Sequence, residues 1–158
     1  MKSIMISACL LGIQSAYHGK QSKRLLNDCW ESNPAVCFIP FCPEQIVGFP
    51  TPRLPVEICG GDGNDVLACK AQVVSEDGTD VTHIFLNGLE NILTIARWTR
   101  PSLIVTQQRS PSCSCAGIYD GTFSHTLIPG DGVVAACLKK NGYQLMDIDD
   151  FNKKGMIF

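Results

Sequence analysis

The segment Arg109-Ser-Pro-Ser-Cys-Ser-Cys115 carries two thiols one residue apart, among three serines, a proline and an arginine. It follows the apolar run Ser102-Leu-Ile-Val-Thr106 and precedes a Gly/Tyr/Asp turn. Short side chains at this density add little to a core, so the thiols invite a chemical reading. Two more cysteines stand in similar settings. Cys9 lies two residues past Ile4-Met-Ile-Ser7, and Cys42 lies three residues past Ala35-Val-Cys-Phe-Ile39. Both runs read as buried strands, as does Leu103-Ile-Val105. Cys9, Cys42 and Cys113 therefore fall just beyond the carboxyl ends of predicted strands. In open α/β sheets that edge binds ligands. A parallel sheet would gather the three thiols into one place.

Three converged thiols admit three chemistries. Structural zinc takes four ligands, usually with a short cysteine knuckle, and no C-x2-C occurs here. Iron–sulfur clusters are normally held by four thiolates. Three would leave one iron open, a Lewis acid suited to a soft sulfur atom. The third possibility needs no metal: Cys113 as a nucleophile with Cys115 as resolving partner. Cys29, Cys37, Cys59, Cys69 and Cys137 are expected to be small apolar fillers.

Other groups stand close by. Glu44, two residues past Cys42, could act as general base toward a water. Ser110 and Ser112 flank Pro111 and could donate to a reacting group or simply satisfy the bend. His18, His83 and His125 share no spacing and are assigned no chemistry. Gly60-Gly-Asp-Gly63 lacks the lysine and context of a P-loop. Gly130-Asp-Gly132 could open an anion site at a helix N-terminus or only make a turn.

The elements that must position these residues follow from pattern and punctuation. A short helix is expected within Ser22 to Glu31, ended by Asn33-Pro34. The second strand is expected to stop at Pro40 and Pro43. Residues 48–65 read as a long irregular loop, followed by a short strand at Ala71–Val74 and a turn at Glu76–Thr79. Asp80 to Trp98 is the clearest helix, with Asp80 as N-cap and one apolar face of Val81, Phe85, Leu89, Ile92, Leu93 and Ala96. Asp131 is expected to cap a last helix that stops at Asn141-Gly142, before a final strand at Tyr143–Ile148. Strands alternating with helices predict a single α/β domain over residues 1–158. It has a mainly parallel sheet with helices on both faces, a Rossmann-like three-layer arrangement.

Bulk properties narrow the function classes. A chain of 158 residues with 45% apolar content suffices for one sizeable core. Lys and Arg number 13 against 15 acids, for a net charge of −2, so no long nucleic acid is expected as partner. No apolar run reaches the roughly 20 residues of a membrane span, and the N-terminal apolar stretch is too short for a signal peptide. A cytoplasmic location is expected. Nine cysteines cannot all pair within the chain. In a reducing compartment such a surplus points to metal binding or catalysis. Oligomeric state is not legible.

Read together, several segments occur in a telling order: Ser7-Ala-Cys-Leu-Leu-Gly12, Cys42-Pro-Glu44, Pro50-Thr-Pro-Arg53, Gly60-Gly-Asp-Gly63, Arg109-Ser-Pro-Ser-Cys113, Ile118-Tyr-Asp-Gly-Thr-Phe-Ser124 and Pro129-Gly-Asp-Gly132. The set resembles the domain-of-unknown-function family numbered 523 and, within it, the bacterial thiouracil desulfidases. It runs over nearly the whole chain. The resemblance implies a [4Fe-4S] cluster bound by Cys9, Cys42 and Cys113. Its open iron would take the sulfur of a thiolated uracil. Water, helped by Glu44 and by Ser110 or Ser112, would replace that sulfur with oxygen, and hydrosulfide would leave without net redox change. The expected substrate is a small thiolated base, with Arg53 and Tyr119 as candidates for gripping it. The rival readings are desulfuration of thiolated uridine in RNA or nucleotides, and a non-catalytic iron–sulfur or zinc protein. A chain ending at Phe158 without a second domain favours the small substrate. Two departures mark this sequence. Ser114 and Cys115 stand where the family continues with glycine, and Thr106-Gln-Gln108 lacks the charged residue the family leads one to expect.

Overall fold

A computed structural model describes residues 1–31 and 33–154 of the chain. Ser32 and the last four residues of the expected 1–158 domain lie outside the described residues. In chain order the elements are β1 (Lys2–Ser7), a 3-10 turn (Ala8–Leu11), α1 (Asp28–Glu31), β2 (Val36–Phe41), α2 (Pro43–Val47), β3 (Val56–Cys59), α3 (Gly63–Leu67), β4 (Gln72–Ser75) and α4 (Thr82–Thr99). They continue with β5 (Leu103–Thr106), β6 (Ile118–Tyr119), β7 (Leu127–Ile128), α5 (Val133–Lys140), β8 (Leu145–Asp147) and α6 (Ile148–Lys154).

The central sheet has four strands in the order β2-β1-β5-β8, and every pairing within it is parallel. Side chains alternate across a strand, and here the alternation divides two cores. Met5 and Ile104 point into one, with Phe85, Ile92 and Ala96 of α4 and Val133, Val134 and Leu138 of α5. Ile4, Ile6, Leu103 and Val105 point into the other, with Trp30 of α1 and Ile148 and Phe151 of α6. Trp30 stacks on Phe151 at 4.3 Å between ring centroids. The chain is thus a single α/β domain with a parallel sheet and helices on both faces, as its pattern predicts. Among the described residues no helix is long and apolar enough to cross a membrane.

Several local expectations are corrected. β2 runs through Pro40, which pairs with Ile6. It is an edge strand, where a missing N–H goes unmissed. The helix expected from Ser22 is confined to Asp28–Glu31, because Leu25 and Leu26 instead donate to the Leu10 carbonyl at 2.9 and 3.3 Å. The expected 48–65 loop contains β3, which pairs antiparallel with β4. Val81, not Asp80, is the N-cap of α4, and Asp80 accepts from Thr82 N one step outside it. Gly132, not Asp131, caps α5, and Asp131 binds Lys139 instead. α5 is not the last helix either, since α6 follows β8. Cys29, Cys37 and Cys69 are exposed rather than core fillers.

α2, which carries Glu44, is seated on α4 through a glycine. A Cβ at Gly88 would lie 2.4 Å from the Val47 Cβ, so the helices meet where no side chain fits. Gly88→Ala is expected to destabilise the fold by about 1–3 kcal/mol through overpacking, read as a lower denaturant midpoint. An unchanged midpoint would show that α2 is not held this way.

Candidate active site

The chain leaves β1 toward β2 on one side and later returns to β5 on the other, so strand order reverses between β1 and β5. A crevice forms outside the carboxyl ends of strands at such a reversal. Here it is a cavity of about 690 Å³ whose walls include Cys9, Cys42, Cys113 and Glu44. The three thiols predicted to converge do share one cavity.

Each thiol arrives by a different device. Cys9 sits in the 3-10 turn directly after β1. Cys42 is the N-cap of α2, directly after β2, and its thiol donates to the Ser15 carbonyl at 3.5 Å. Cys113 is buried on the bend that follows β5. That bend is tied from within: Ser110 Oγ accepts from the N–H groups of Ser112 and Cys113, each at 3.2 Å. It is also tied from outside. Val133 N donates to the Pro111 carbonyl at 2.9 Å, and Val134 N and Ala135 N donate to the Ser112 carbonyl at 2.9 and 3.2 Å. These are N–H groups that a helix start leaves without intrahelical partners. The N-terminus of α5 therefore holds the bend rather than an anion.

Ser7 links the two strands across the reversal. Its Oγ donates to Cys113 Sγ at 3.4 Å and accepts from Gln107 N at 3.3 Å. The electrostatics follow from crowding and burial. The Cys9 thiol is pushed up to about 12, first by burial and then by the charges of Cys113, Cys42 and Glu44. Cys113 is pushed up to about 11 by burial, against partial relief from Ser110 and Ser7. Buried thiols without a cation stay protonated. Among the described residues no three His, Cys, Asp or Glu side chains close on a single metal ion.

Glu44 stands in the first turn of α2 and pairs through Oε2 with Arg53 Nη2. Arg53 also donates to the carbonyls of Ser15 and Pro50 and to Thr51 Oγ1, at 3.0, 3.3 and 3.0 Å. Expected to grip a base, Arg53 lines the cavity but has its guanidinium taken up by protein partners. Tyr119 lines the cavity too, edge-on to His125 at 5.4 Å. Ser110 shapes the bend, whereas Ser112 Oγ is buried with no hydrogen-bond partner. Cys115 does not line the cavity; Thr106 Oγ1 donates to its Sγ at 3.3 Å.

Sequence reasoning missed part of the lining. Gln107, His18, Phe123, His125 and the buried Glu57 all contribute. Glu57 Oε2 accepts from Gly121 N and Phe123 N, both at 3.0 Å. That anchors a loop in which Phe123 and His125 take positive φ, 57° and 62°. Non-glycine residues in such conformations gather at ligand-holding sites. The signal in the sequence was the Asp120–Thr126 run of short hydroxyls, which here bond one another in series. The two Gly-Asp-Gly stretches prove to be partners. Gly63 N donates to the Asp131 carbonyl at 2.7 Å, and Asp62 caps α3 in a reciprocal box with Asp65.

Comparison with known proteins gives the chain's family. The family model described as 2-thiouracil desulfurase matches residues 4–150. The chain belongs to the 2-thiouracil desulfurase family. It is 39% identical over 150 residues to the uncharacterized protein YbbK of Bacillus subtilis (strain 168), covering 94% of this chain and 97% of that one. A solved structure named as the [4Fe-4S]-dependent thiouracil desulfidase TudS superposes with a TM-score of 0.80 at 33% identity, covering 97% of this chain and 95% of that one. Membership in the 2-thiouracil desulfurase family accounts for the ordered motifs, and the parallel sheet shows how they meet.

The Arg53–Glu44 pair is largely withdrawn from solvent, the side chains being 5% and 16% exposed. Removing one partner of a buried pair costs about 3–5 kcal/mol, and replacing both by apolar groups is often neutral. Arg53→Met is therefore expected to lower unfolding free energy by about that much, with Arg53→Met/Glu44→Leu recovering most of it. A loss within the roughly 0–1 kcal/mol of a surface pair would contradict this description of the pair.

Proposed function

We propose that this protein is a [4Fe-4S]-dependent desulfidase, formed as one iron–sulfur domain over residues 1–158. It converts thiouracil, or a related small thionucleobase, to uracil and hydrosulfide. The observation that carries the reading is the convergence of Cys9, Cys42 and Cys113 on one cavity with Glu44, in a chain of this family.

The residues present fit such a cluster. The donors are all thiols, and they share a cavity without closing on one point, which suits a group whose irons each take a different thiolate. Buried thiols pushed up to about 12 and 11 become ligands when a cationic centre supplies the missing charge. The orphaned Ser112 hydroxyl is a donor left for a sulfide, a substrate or a water. Cys9, Cys42 and Cys113 would hold the cluster, which when bound supplies a Lewis-acidic position for soft sulfur. A cavity of about 690 Å³ falls within the range of small-molecule sites, which favours a free base over a folded RNA.

The chain's own residues then handle water and protons. Glu44 takes a proton from water, whose oxygen forms a bond to the carbon bearing sulfur. The C–S bond breaks with its electron pair on sulfur, and the protons end on sulfur and in solvent. Nothing is oxidised or reduced. Arg53 fixes the direction in which the Glu44 carboxylate points. Ser110 keeps the bend in shape, and the Ser112 hydroxyl donates to the reacting groups.

The reading is tested on anaerobically purified protein, which should contain iron and sulfide in equal amounts and turn thiouracil into uracil and hydrosulfide. Cys9→Ser, Cys42→Ser and Cys113→Ser should each lose most of the iron. Cys115→Gly, Cys29→Ser and Cys137→Ser should keep it. Iron lost in Cys115→Gly but kept in Cys113→Ser would exchange the third ligand.

A second outcome concerns the base. General-base catalysis contributes about 10²–10⁴-fold, so Glu44→Gln should slow turnover by that factor with iron content unchanged. Turnover at the parent rate would remove Glu44 from this role.

A further inference from the structure

Two buried side-chain polar atoms among the described residues have no hydrogen-bond partner: Ser112 Oγ and Gln107 Oε1. A buried polar group without a partner calls for one. Gln107 follows β5 directly and lines the cavity. Its backbone is pinned on both sides, by Ser7 Oγ at its N–H (3.3 Å) and by the Cys113 thiol at its carbonyl (3.9 Å). The side chain therefore starts from a fixed point beside the thiol, with its carbonyl oxygen unclaimed. Its neighbour Gln108 differs, donating to Asp147 and Asp149 at 3.2 and 3.1 Å.

We propose that Gln107 is the residue that recognises the base, its Oε1 accepting the ring N–H adjacent to the carbon that carries sulfur. The inference rests on the thiouracil reading and extends it to specificity. In a thiouracil the sulfur-bearing carbon has a ring N–H as its direct neighbour. Sulfur must face the thiols, so a group reading that N–H must stand beside them, as Gln107 does next to Cys113. A carboxamide also offers an acceptor and a donor side by side, matching the N–H and C=O edge of a pyrimidine imide. A lone acceptor buried for this purpose discriminates strongly, because a ligand without the N–H leaves it unpaired. Uncharged glutamine, unlike lysine or glutamate, reads a neutral ring without adding charge beside the thiols.

Gln107→Met keeps length and removes both polar atoms. Binding of uracil and of 1,3-dimethyluracil, which has no ring N–H, would be measured by calorimetry on cluster-loaded parent and variant. Turnover of thiouracil would be measured in parallel. The parent should prefer uracil over the dimethyl compound by about 10- to 100-fold. In Gln107→Met the preference should collapse, KM for thiouracil should rise by a similar factor, and iron content should stay at the parent level. If Gln107→Met fails to fold, Gln107→Leu should give the same collapse. A preference unchanged in a variant with full iron overturns the proposal. So does loss of iron, which would make Gln107 a partner of the cluster, and so does failure of the parent to bind uracil. If uracil binds through Gln107 while the parent turns over no thiouracil, the activity reading falls and the recognition stands.

Discussion

The site depends on how the Ser110–Ser114 bend is seated on the start of α5. A helix begins with N–H groups that its own turns cannot satisfy. In this chain they are given to the Pro111 and Ser112 carbonyls, while Gly132 N donates to the Ser114 carbonyl at 2.8 Å. The contact is close enough to exclude any side chain: a Cβ on Gly132 would lie 2.4 Å from Ser112 O. The same residue backs onto α3, since a Cβ on Gly63 would lie 2.4 Å from Gly132 O. The two Gly-Asp-Gly stretches, far apart in sequence, therefore join α3, α5 and the bend into one unit. Ser7 completes it from β1 by donating to the Cys113 thiol. Cys113 is consequently placed from three directions, by backbone contacts to its bend and by the Ser7 hydroxyl on its thiol.

That rigidity carries an electrostatic consequence. Three thiolates and a carboxylate in one cavity would repel one another, and burial, the largest cause at Cys9 and Cys113, opposes their charge further. The directions agree: Cys9 is raised by Cys113, Cys42 and Glu44, and Cys113 is raised by Glu44. Arg53 is engaged by Glu44 and lies 3.9 Å from Cys42 Sγ, so its charge is already shared. Without a cationic centre the Cys9 and Cys113 thiols stay protonated. A bound cluster would convert them to thiolates and release protons, so its affinity would couple to both pH and folding.

Most of the framework was legible because the buried strands are short apolar runs that need no tertiary knowledge to recognise. β1 and β5 stand out for this reason, and with them the edge where Cys9 and Cys113 fall. What escaped prediction had its cause elsewhere in the fold. Pro40 within β2 is tolerated only because that strand is an edge, a fact of sheet order rather than of sequence. Asp80 and Asp131 look like caps, yet Asp80 bonds one step outside α4 and Asp131 turns to Lys139. β6 and β7 have two residues each, too short for a periodic signal. Gln107 carries no spacing signature at all. It stands out only through a missing partner, which a packed structure alone can expose.

Cys113 and Cys115 pose the remaining choice, and their surroundings differ in physical terms. Each has a hydroxyl partner from the end of a different strand, Ser7 for Cys113 and Thr106 for Cys115. The two thiols are thus drawn apart, and only Cys113 faces the cavity. A nucleophilic cysteine with a resolving neighbour needs a lowered pKa in an accessible, electropositive setting. Both thiols are instead raised, each chiefly by burial, and Lys139 relieves Cys115 only in part. Burial that would disable a nucleophile suits a metal ligand, because the metal itself supplies the charge that deprotonates the thiol and the surrounding protein keeps water from competing for it. The same burial therefore argues against the metal-free chemistry that the Cys-Ser-Cys spacing first suggests and for the ligand role of Cys113.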